Sequence, residues 1–329
     1  MDKEKDNNSK TDVNKKTCDK SACDKSADNK TADNKTAYKR FTRKEHFRLS
    51  VQIIWALLTN SYLAGFVYGK IYQGKLKNLC VPGLNCYSCP GALGSCPIGA
   101  MQAVIGSRNY KFTFYVAGFL MFVGALFGRF VCGWLCPFGL IQDLLHKIPV
   151  DKIKIAGKPV FKKIGTFRGD KLLRKLKYVI LVVFVILLPL FLVDMLGQGT
   201  PYFCKYICPA GTLEGGVPLV LLNESLRSVV GWLYVWKNVI LAVTIVLSIL
   251  IYRPFCKYIC PLGAIYSIFN PVAVFKYRVD DDKCISCGKC KEVCKMQVDP
   301  VKNIDSPECI RCGVCKNSCP VGAIEMSKK

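Results

Sequence analysis

A short cysteine motif, repeated at the ends of apolar runs, constrains this chain more than any other feature. The motif Cys-x3-Cys-Pro occurs at Cys132–Pro137, at Cys204–Pro209 and at Cys256–Pro261, and Cys96–Pro97 keeps only its second half. A residue before proline is biased away from helical geometry, and proline suits the first helical position. Each motif should therefore place a cysteine at a helix N-terminus, where the helix dipole favours the thiolate. Thiolates delivered repeatedly beside apolar segments predict bound metal at a membrane.

Four apolar runs are candidates for membrane helices. At 1.5 Å per residue, about 20 residues cross a hydrocarbon core of roughly 30 Å. The runs are Phe47–Gly69, Phe112–Gly128, Tyr178–Leu196 and about Val229–Tyr252. Each pair of runs is arranged as helix, cysteine loop, helix and Cys-x3-Cys-Pro. This predicts an all-α integral membrane domain over residues 47–275, with four transmembrane helices and an internal duplication.

The charge distribution predicts the orientation of these helices. The connector from Lys147 to Lys177 carries 11 Lys or Arg residues and two Asp residues, and connectors of this kind stay in the cytoplasm. An even number of spans then gives a multi-pass protein of the cell membrane with both termini cytoplasmic. Loops 70–111 and 197–228 fall outside. Asp194, near the outer end of the third run, could relay a quinol proton, although an interfacial position is the simpler interpretation.

The net charge of +24 arises from 47 Lys and Arg residues against 23 Asp and Glu residues, and the positive charges cluster beside the apolar runs. Membrane topology and binding to anionic lipid headgroups explain this placement, so nucleic acid is not an expected partner. Residues 1–46 repeat a polar pentad with almost nothing to bury, which predicts a disordered cytoplasmic tail. Cys18 and Cys23 fit the drift of that repeat better than a ligand role.

The C-terminal segment, residues 276–329, contains the most specific pattern. Cys284, Cys287, Cys290 and Cys294 follow the spacing Cys-x2-Cys-x2-Cys-x3-Cys, and Cys309, Cys312, Cys315 and Cys319 repeat it with a proline at position 320. In two-cluster ferredoxins the fourth cysteine of each run ligates the other cluster. This predicts a small α+β domain with two [4Fe–4S] clusters. One would use Cys284, Cys287, Cys290 and Cys319, and the other would use Cys309, Cys312, Cys315 and Cys294. Zinc sites lack the closely following third cysteine, and Lys295 stands where the pattern would have proline.

The two inner motifs supply four more thiolates. Cys132 and Cys136 pool with Cys256 and Cys260 if the duplicated halves meet, and four sulfurs are enough for one cluster. The alternatives are disulfides or free thiols, and a cytoplasmic location counts against disulfides.

The outer loops contain six further cysteines. Cys204 and Cys208 copy the inner motif, and Cys86, Cys89 and Cys96 would supply partners for an outer iron site, with Cys80 as an extra. An outer location also permits structural disulfides, so both interpretations remain open and the four ligands are not defined. One or two further iron–sulfur centres are therefore expected in the membrane domain.

Several missing motifs narrow the function. The chain has no Cys-x-x-Cys-His for covalent haem, no P-loop and no Gly-x-Gly-x-x-Gly after a strand. His46 and His146 are the only histidines, and both lie in polar or amphipathic flanks, so a membrane haem with two histidine ligands is not expected. The chain is therefore expected to be an electron-transfer component of an oxidoreductase system and not a stand-alone enzyme.

The combination of Cys132–Pro137, Cys256–Pro261, Cys284–Cys294 and Cys309–Pro320 resembles the NapH/NosR-type membrane polyferredoxins over roughly residues 47–329. The resemblance implies electron transfer between a quinol pool or a soluble donor and a redox partner at the opposite membrane face. A soluble ferredoxin or flavodoxin is the expected donor besides quinol, and an extracytoplasmic flavoprotein, cytochrome or reductase is the expected acceptor. The chain lacks the flavin-attachment sequence of the NosR type, and its cysteine-rich outer loops resemble forms expected in anaerobes.

Two function classes remain open. The first is an electron carrier, which could transfer electrons across the whole membrane. An acidic donor would dock on its basic residues Lys283, Lys289, Lys291, Lys295 and Arg311. In that class an outer centre shortens the roughly 30 Å gap across the bilayer core. The second is an assembly or sensory protein whose clusters serve a client, as in the CcoG-type oxidase assembly proteins that look similar in part.

Overall fold

The computed structural model describes residues 30–107, 110–150, 154–155, 158–159, 163, 165, 167, 169–192 and 198–328. The chain divides into residues 1–43 and residues 44–329. Cys18, Cys23 and Asp194 lie outside the described residues, as does the tail up to residue 29. Residues 30–46, which the sequence analysis assigns to the tail, belong to the helix Lys30–Thr59. The Ala, Lys, Arg and Glu residues of this stretch favour helix.

The first predicted membrane run does not form one helix. The helix ends at Thr59, and the next helix, Ala64–Tyr68, begins after a turn. The Thr59 hydroxyl donates to the carbonyl of Trp55 at 2.9 Å, and the Asn60 amide donates to the carbonyl of Ala56 at 3.0 Å. These side chains bond the last turn of the helix and so compete with its continuation through Gly69.

The other three predicted runs coincide with helices. The second run corresponds to Tyr110–Phe127, and the fourth corresponds to Trp232–Leu250. The part of the third run up to Phe191 lies in a continuous helical segment made of Asp170–Ile180, the π-helix Leu181–Leu187 and Leu188–Phe191. Among the described residues, only Trp232–Leu250 is a single regular helix long and apolar enough to cross a membrane.

Large apolar side chains are exposed along all four of these helical segments. Examples are Leu57, Phe122, Val182 and Trp232, with exposed fractions of 65%, 65%, 48% and 78%. The remaining helical segments are shorter and carry the motifs. They are Lys75–Asn78, Pro97–Ser107, Phe130–Trp134, Pro137–His146, Phe203–Ile207, Pro209–Gly211, Thr212–Gly216, Val217–Leu222, Glu224–Ser228, Pro254–Tyr258, Pro261–Phe269, Lys289–Glu292, Pro300–Asn303 and Val314–Ser318.

The C-terminal segment is closed by a two-stranded antiparallel sheet. Strand Phe275–Val279 pairs with strand Ile324–Lys328, with Tyr277 opposite Met326. The short helices Lys289–Glu292, Pro300–Asn303 and Val314–Ser318 lie between the strands in the chain. A second two-stranded pair, Lys154–Ile155 with Lys158–Pro159, lies in the basic connector.

Candidate metal centres

The two C-terminal cysteine loops have the same backbone conformation. Ser286 and Arg311, each just before the second cysteine of its loop, have φ angles of 52°, and Gly288 and Gly313, just after it, have φ angles of 72° and 80°. A left-handed conformation is rare for serine or arginine, and it points to a constraint on the loop. Alternation of this kind turns successive backbone N–H groups into one concavity that binds anions.

Each loop lines its own cavity together with one cysteine from the other loop. Cys284, Cys287 and Cys290 line the first cavity with Cys319, and Cys309, Cys312 and Cys315 line the second cavity with Cys294. These are the two ligand sets expected from the spacing. The residues therefore fit two clusters, each of which would be held by three thiolates from one loop and one thiolate from the other.

Burial disfavours the charged form of two thiols of the second cavity, those of Cys309 and Cys294. It raises the pKa of Cys309 to about 12 and also raises the pKa of Cys294. Binding of a metal replaces such protons, so these thiols are suited to a ligand that supplies positive charge. Backbone N–H groups also donate to the sulfurs, from Val298 to Cys294 and from Ala323 to Cys319, each at 3.3 Å.

The two cavities differ in their exposure. Cys287 of the first cavity is exposed, and its neighbour Ile285 has an exposed fraction of 55%. In the second cavity, Cys309 and Cys312 pack against the large core that also contains Cys132. The first site faces outward, and the second site faces the inner motifs.

The inner motifs from the two halves lie side by side. Cys132, Cys136, Cys256 and Cys260 are all buried. Their sulfurs are close enough for their charges to interact, as between Cys260 and the other three. Gly139 N donates to Cys136 Sγ and Gly263 N donates to Cys260 Sγ, each at 3.4 Å.

Two arginines cross between the halves at this site. Arg129 donates to the carbonyl of Cys256 at 3.1 Å, and Arg253 donates to the carbonyl of Cys132. Both arginines have an exposed fraction of 0%. Each stands three residues before the first cysteine of its own motif, yet it binds the first cysteine of the other motif. The halves are therefore joined reciprocally.

Each crossed arginine has a buried carboxylate partner. Asp143 accepts hydrogen bonds from both Nε and Nη2 of Arg253, each at 2.6 Å, and it also forms an ion pair with Arg48 at 2.9 Å. Burial alone would raise the pKa of Asp143, but Arg253 and Arg48 outweigh it and lower that pKa to about 2. A buried bidentate pair of this kind fixes the guanidinium plane as well as its charge.

The partner of Arg129 comes from the C-terminal segment. Glu308, immediately before Cys309, pairs with Arg129 at 3.0 Å and with Lys177 at 2.5 Å. Burial favours a raised pKa for Glu308, but the two cations outweigh it and lower the pKa below its usual value. The loop that lines the second cavity is therefore attached by charge to the inner motif.

Hydrogen bonds complete this contact. The Asn270 amide donates to the carbonyls of Ser306 and Cys309 at 2.7 and 2.9 Å, and its oxygen accepts from Arg129 N at 3.1 Å. Trp134 Nε1 donates to the Arg311 carbonyl at 3.1 Å. A Cβ at Gly133 would lie 2.4 Å from the Ile310 carbonyl oxygen, so this position requires glycine.

The predicted role of Arg311 in docking an acidic donor is wrong. Arg311 has an exposed fraction of 2%, and its guanidinium donates to the backbone carbonyls of Phe127, Phe275 and Asn270. It therefore holds the C-terminal segment in place and is not available to a soluble donor. Of the other four basic residues, Lys283, Lys291 and Lys295 form exposed ion pairs with Asp280, Asp299 and Glu45.

The outer-loop cysteines separate into groups. Cys86, Cys96, Cys204 and Cys208 lie within reach of each other's charges, as the interactions of Cys208 with the other three show. Cys89 interacts with Cys86 and also donates to Asn60 Oδ1 at 3.6 Å, and Cys80 lies beside Cys96. Tyr266 lies close enough to Cys96, Cys80, Cys132 and Cys136 to interact with all four. The two cysteine sets are thus not separated by the full thickness of a bilayer core.

The reason for this proximity is a fold-back of loop 70–111. Pro82 accepts a hydrogen bond from the Tyr266 hydroxyl at 2.9 Å, and a Cβ at Gly83 would lie 2.9 Å from the Leu135 carbonyl oxygen. The loop therefore reaches the backbone of the inner motif.

All 18 cysteines of the described residues are free thiols. Within those same residues, no group of three or more His, Cys, Asp or Glu side chains is arranged to hold a single metal ion. A zinc ion would draw its sulfurs to about 2.3 Å from one centre.

Arg129, Arg253, Asp143 and Glu308 have no assigned role in the sequence analysis. A signal for the arginines is present in the sequence, because both inner motifs have Arg three residues before the first cysteine, whereas the outer motif has Pro201 there. The acids have no such signal. Their partners are distant in the chain, and only the folded structure brings them together.

Family models recognise both parts of the chain. A model described as a 4Fe-4S binding domain matches residues 112–156, 178–217 and 234–279, and each range contains one complete Cys-x3-Cys-Pro motif. A second model with the same description matches residues 277–298 and 302–325. The Cys204–Cys208 segment thus scores as a repeat of the same kind as the two inner ones.

Curated relatives are similar over about half of the chain. An uncharacterised protein of Methanocaldococcus jannaschii is 30% identical over 180 residues, which is 54% of this chain and 55% of the relative. The putative electron transport protein YccM of Escherichia coli is 26% identical, over 54% of this chain and 44% of the relative. The ferredoxin-type protein NapH of Haemophilus influenzae is 27% identical, over 53% and 50%. The matched segment spans about half the length of these relatives, and no solved structure matches the chain.

Proposed function

This chain belongs to the NapH/NosR-type polyferredoxin family, and on that premise we propose that it is a membrane-bound electron carrier whose C-terminal domain passes electrons to the inner motif. When bound, [4Fe–4S] clusters supply one-electron transfer at low potential. The two C-terminal cavities would be held by the two four-cysteine sets named above. The inner site would be held by Cys132, Cys136, Cys256 and Cys260.

The observation that carries this proposal is the docking of the Cys309 loop on the inner motif. Glu308 is fixed by Arg129 and Lys177, and Asn270 binds the carbonyl of Cys309 itself. These contacts hold one cysteine-lined cavity against the buried cysteines of the other site. The backbone of Ile310 in this loop approaches Gly133 of the inner motif so closely that a Cβ at position 133 would clash with it. Folding of the loop alone would not require this contact.

The exposed apolar belt supports the membrane location. Four helical segments carry large apolar side chains at high exposure, among them Leu58, Phe114, Phe191 and Val243. Exposed apolar surface of this extent marks contact with lipid or with another protein. Lipid is the partner proposed here, with four membrane-spanning segments and both termini cytoplasmic, because the basic connector gives the positive-inside bias.

The outward-facing cavity is the proposed entry point for electrons. Cys287 and Ile285 are exposed there, and Lys289 is an exposed cation beside them. A small acidic ferredoxin or flavodoxin fits this surface, because opposite charge speeds association. Quinol remains a second donor class, and the acceptor is proposed to be a redox protein at the outer face.

The test uses full-length protein purified without oxygen and placed in lipid nanodiscs. A substoichiometric amount of reduced ferredoxin is added, and freeze-quenched samples are followed by electron paramagnetic resonance. In the wild type, signals of the C-terminal domain should appear first and an inner-site signal should follow. In Asn270→Ala, which removes the bonds to Ser306 and Cys309, the second step should slow while iron content stays unchanged.

Two results would contradict the proposal. Roughly eight irons per chain would mean that only the C-terminal domain binds clusters, and the assembly or sensory class would then be favoured. An equal rate in Asn270→Ala would show that the docked loop is not the route. Gly118→Ala is the matched control, because a Cβ there has no neighbour within 4 Å.

A further inference from the structure

The outer-loop cysteines repeat the construction of the inner site. In the first inner half, Cys136-Pro-x-Gly139 is followed by Gln142, six residues after the cysteine. In the outer loop, Cys96-Pro-x-Gly99 is followed by Gln102 at the same spacing. The similarity extends beyond the Cys-Pro pair that defines the motif, and it includes a polar side chain with no role in the ferredoxin domain.

The two glutamines make the same contact in space. Gln142 Nε2 donates to Cys256 Sγ at 3.2 Å, and Gln102 Nε2 donates to Cys204 Sγ at 3.6 Å. In each case the acceptor is the first cysteine of the partner motif. Gln102 is itself held in place, because its oxygen accepts from Phe203 N at 3.2 Å.

Glycines keep the space between the outer sulfurs open. A Cβ at Gly99 would lie 3.8 Å from Cys204 Sγ. A Cβ at Gly211 would lie 3.5 Å from Cys86 Sγ and 3.9 Å from Cys208 Sγ. The two glycines occupy equal positions after Cys96 and Cys208, so each keeps the first turn of its helical segment free of a side chain beside the outer sulfurs.

One ligand of the copied site comes from a different place in the chain. The shortened motif has Ala92 where its first cysteine would stand. The structure brings Cys86 to the other three thiols instead, and the Glu214 carboxylate fixes that loop by accepting from Cys86 N at 2.7 Å. Cys86 thereby restores the count of four.

We propose that Cys86, Cys96, Cys204 and Cys208 bind an additional iron–sulfur cluster, and that Cys80 and Cys89 are not among its ligands. Burial of four thiolates is costly unless a cation balances them and donors reach their sulfurs. The N–H groups of Gly99 and Gly211 face Cys96 and Cys208, and Gln102 serves Cys204. Hydrogen bonds to ligand sulfurs of this kind are among the factors that set cluster potentials.

The position of the site gives it a place after the inner motif. Tyr266 has an exposed fraction of 0% and interacts with both Cys132 and Cys96. Its hydroxyl donates to Pro82, so one side chain joins the two cysteine sets. The role of this site as the next electron carrier rests on the proposed function, whereas its ligand set does not.

The test measures iron, acid-labile sulfide and zinc per chain in full-length protein purified without oxygen. Cys86→Ser and Cys204→Ser should each lose roughly four irons and four sulfides. Cys80→Ser and Cys89→Ser, the matched controls, should keep the wild-type content. Signals of the C-terminal domain in electron paramagnetic resonance show that each variant is folded.

A second variant works without removal of a ligand. Gln102→Leu should keep the iron content and lower the midpoint potential of one centre, because a hydrogen bond to sulfur stabilises the reduced form. An unchanged set of potentials would contradict the Gln102 contact and with it the copied site.

Other outcomes would overturn the ligand assignment. These are an equal iron loss in Cys89→Ser, full iron content in Cys204→Ser, zinc without sulfide, or a disulfide among the six cysteines in an unreduced peptide map. If iron content changes as expected but no electrons pass from the C-terminal domain to the inner motif, the ligand set stands and the proposed function fails.

Discussion

The two halves of the inner site are built alike but completed differently. Arg253 of the second half pairs with Asp143, seven residues after Cys136 of the first half. The equivalent position, seven residues after Cys260, is Ser267, which bonds the Tyr178 hydroxyl at 2.6 Å. Arg129 therefore has no acid from within the duplicated pair.

The C-terminal segment supplies that missing acid. Glu308 binds Arg129, and the cysteine next to it in the chain is Cys309. The difference between the halves shows how the inner site and the C-terminal segment are joined. Because Ser267 is neutral, Arg129 is paired with Glu308 of the C-terminal segment. The asymmetry of the repeat therefore directs the loop of the second cavity to Arg129.

The largest expected effect comes from Asp143→Asn. This change leaves Arg48 and Arg253 buried without a carboxylate, and loss of one partner from a buried pair costs about 3–5 kcal/mol. Chemical denaturation in mixed micelles should show the free energy of unfolding lowered by about that amount. A loss under about 1 kcal/mol would mean that the crossed arginines do not depend on Asp143.

A smaller effect is expected from Glu308→Gln, because this carboxylate retains 13% exposure of its side chain. Loss of charged hydrogen bonds of this kind costs about 1.5–3 kcal/mol. Hydrogen exchange should accelerate in residues 306–312 while the rest of the inner site stays protected. Unchanged protection of that loop would show that Glu308 does not hold it.

The double variant Glu308→Gln with Ser267→Asp sharpens the comparison between the halves. It restores an acid to Arg129 from the symmetric position, so the free energy of unfolding should recover. The 306–312 loop should stay unprotected, because its own anchor is still missing. Recovery of both properties together would contradict the separate roles assigned to the two acids.

The smallest effect is expected at an exposed pair of the same domain. Asp280 and Lys283 pair at 2.8 Å near the surface, and such pairs contribute little. Asp280→Asn should leave unfolding, loop protection and iron content indistinguishable from the wild type. A clear loss of stability would mean that charge alone, regardless of burial, governs this protein.

Local spacing explains what was predictable and what was not. The two C-terminal ligand sets follow from neighbouring cysteines, and the structure groups them as expected around two cavities. The burial of Arg311 and the recruitment of Cys86 depend on partners far along the chain. The break at Thr59 instead involves hydrogen bonds within the last turn of the helix. Hydropathy describes the first run as continuous, but it does not register that Thr59 and Asn60 bond the helix end.

The docked second cavity is the central claim, and spin coupling in fully reduced, full-length protein tests it most directly. A paramagnetic cluster held by Cys294, Cys309, Cys312 and Cys315 should interact magnetically with one held by the inner four cysteines. The account predicts a split or broadened signal in the wild type that simplifies in Glu308→Gln. Independent, unbroadened signals in the wild type would contradict it.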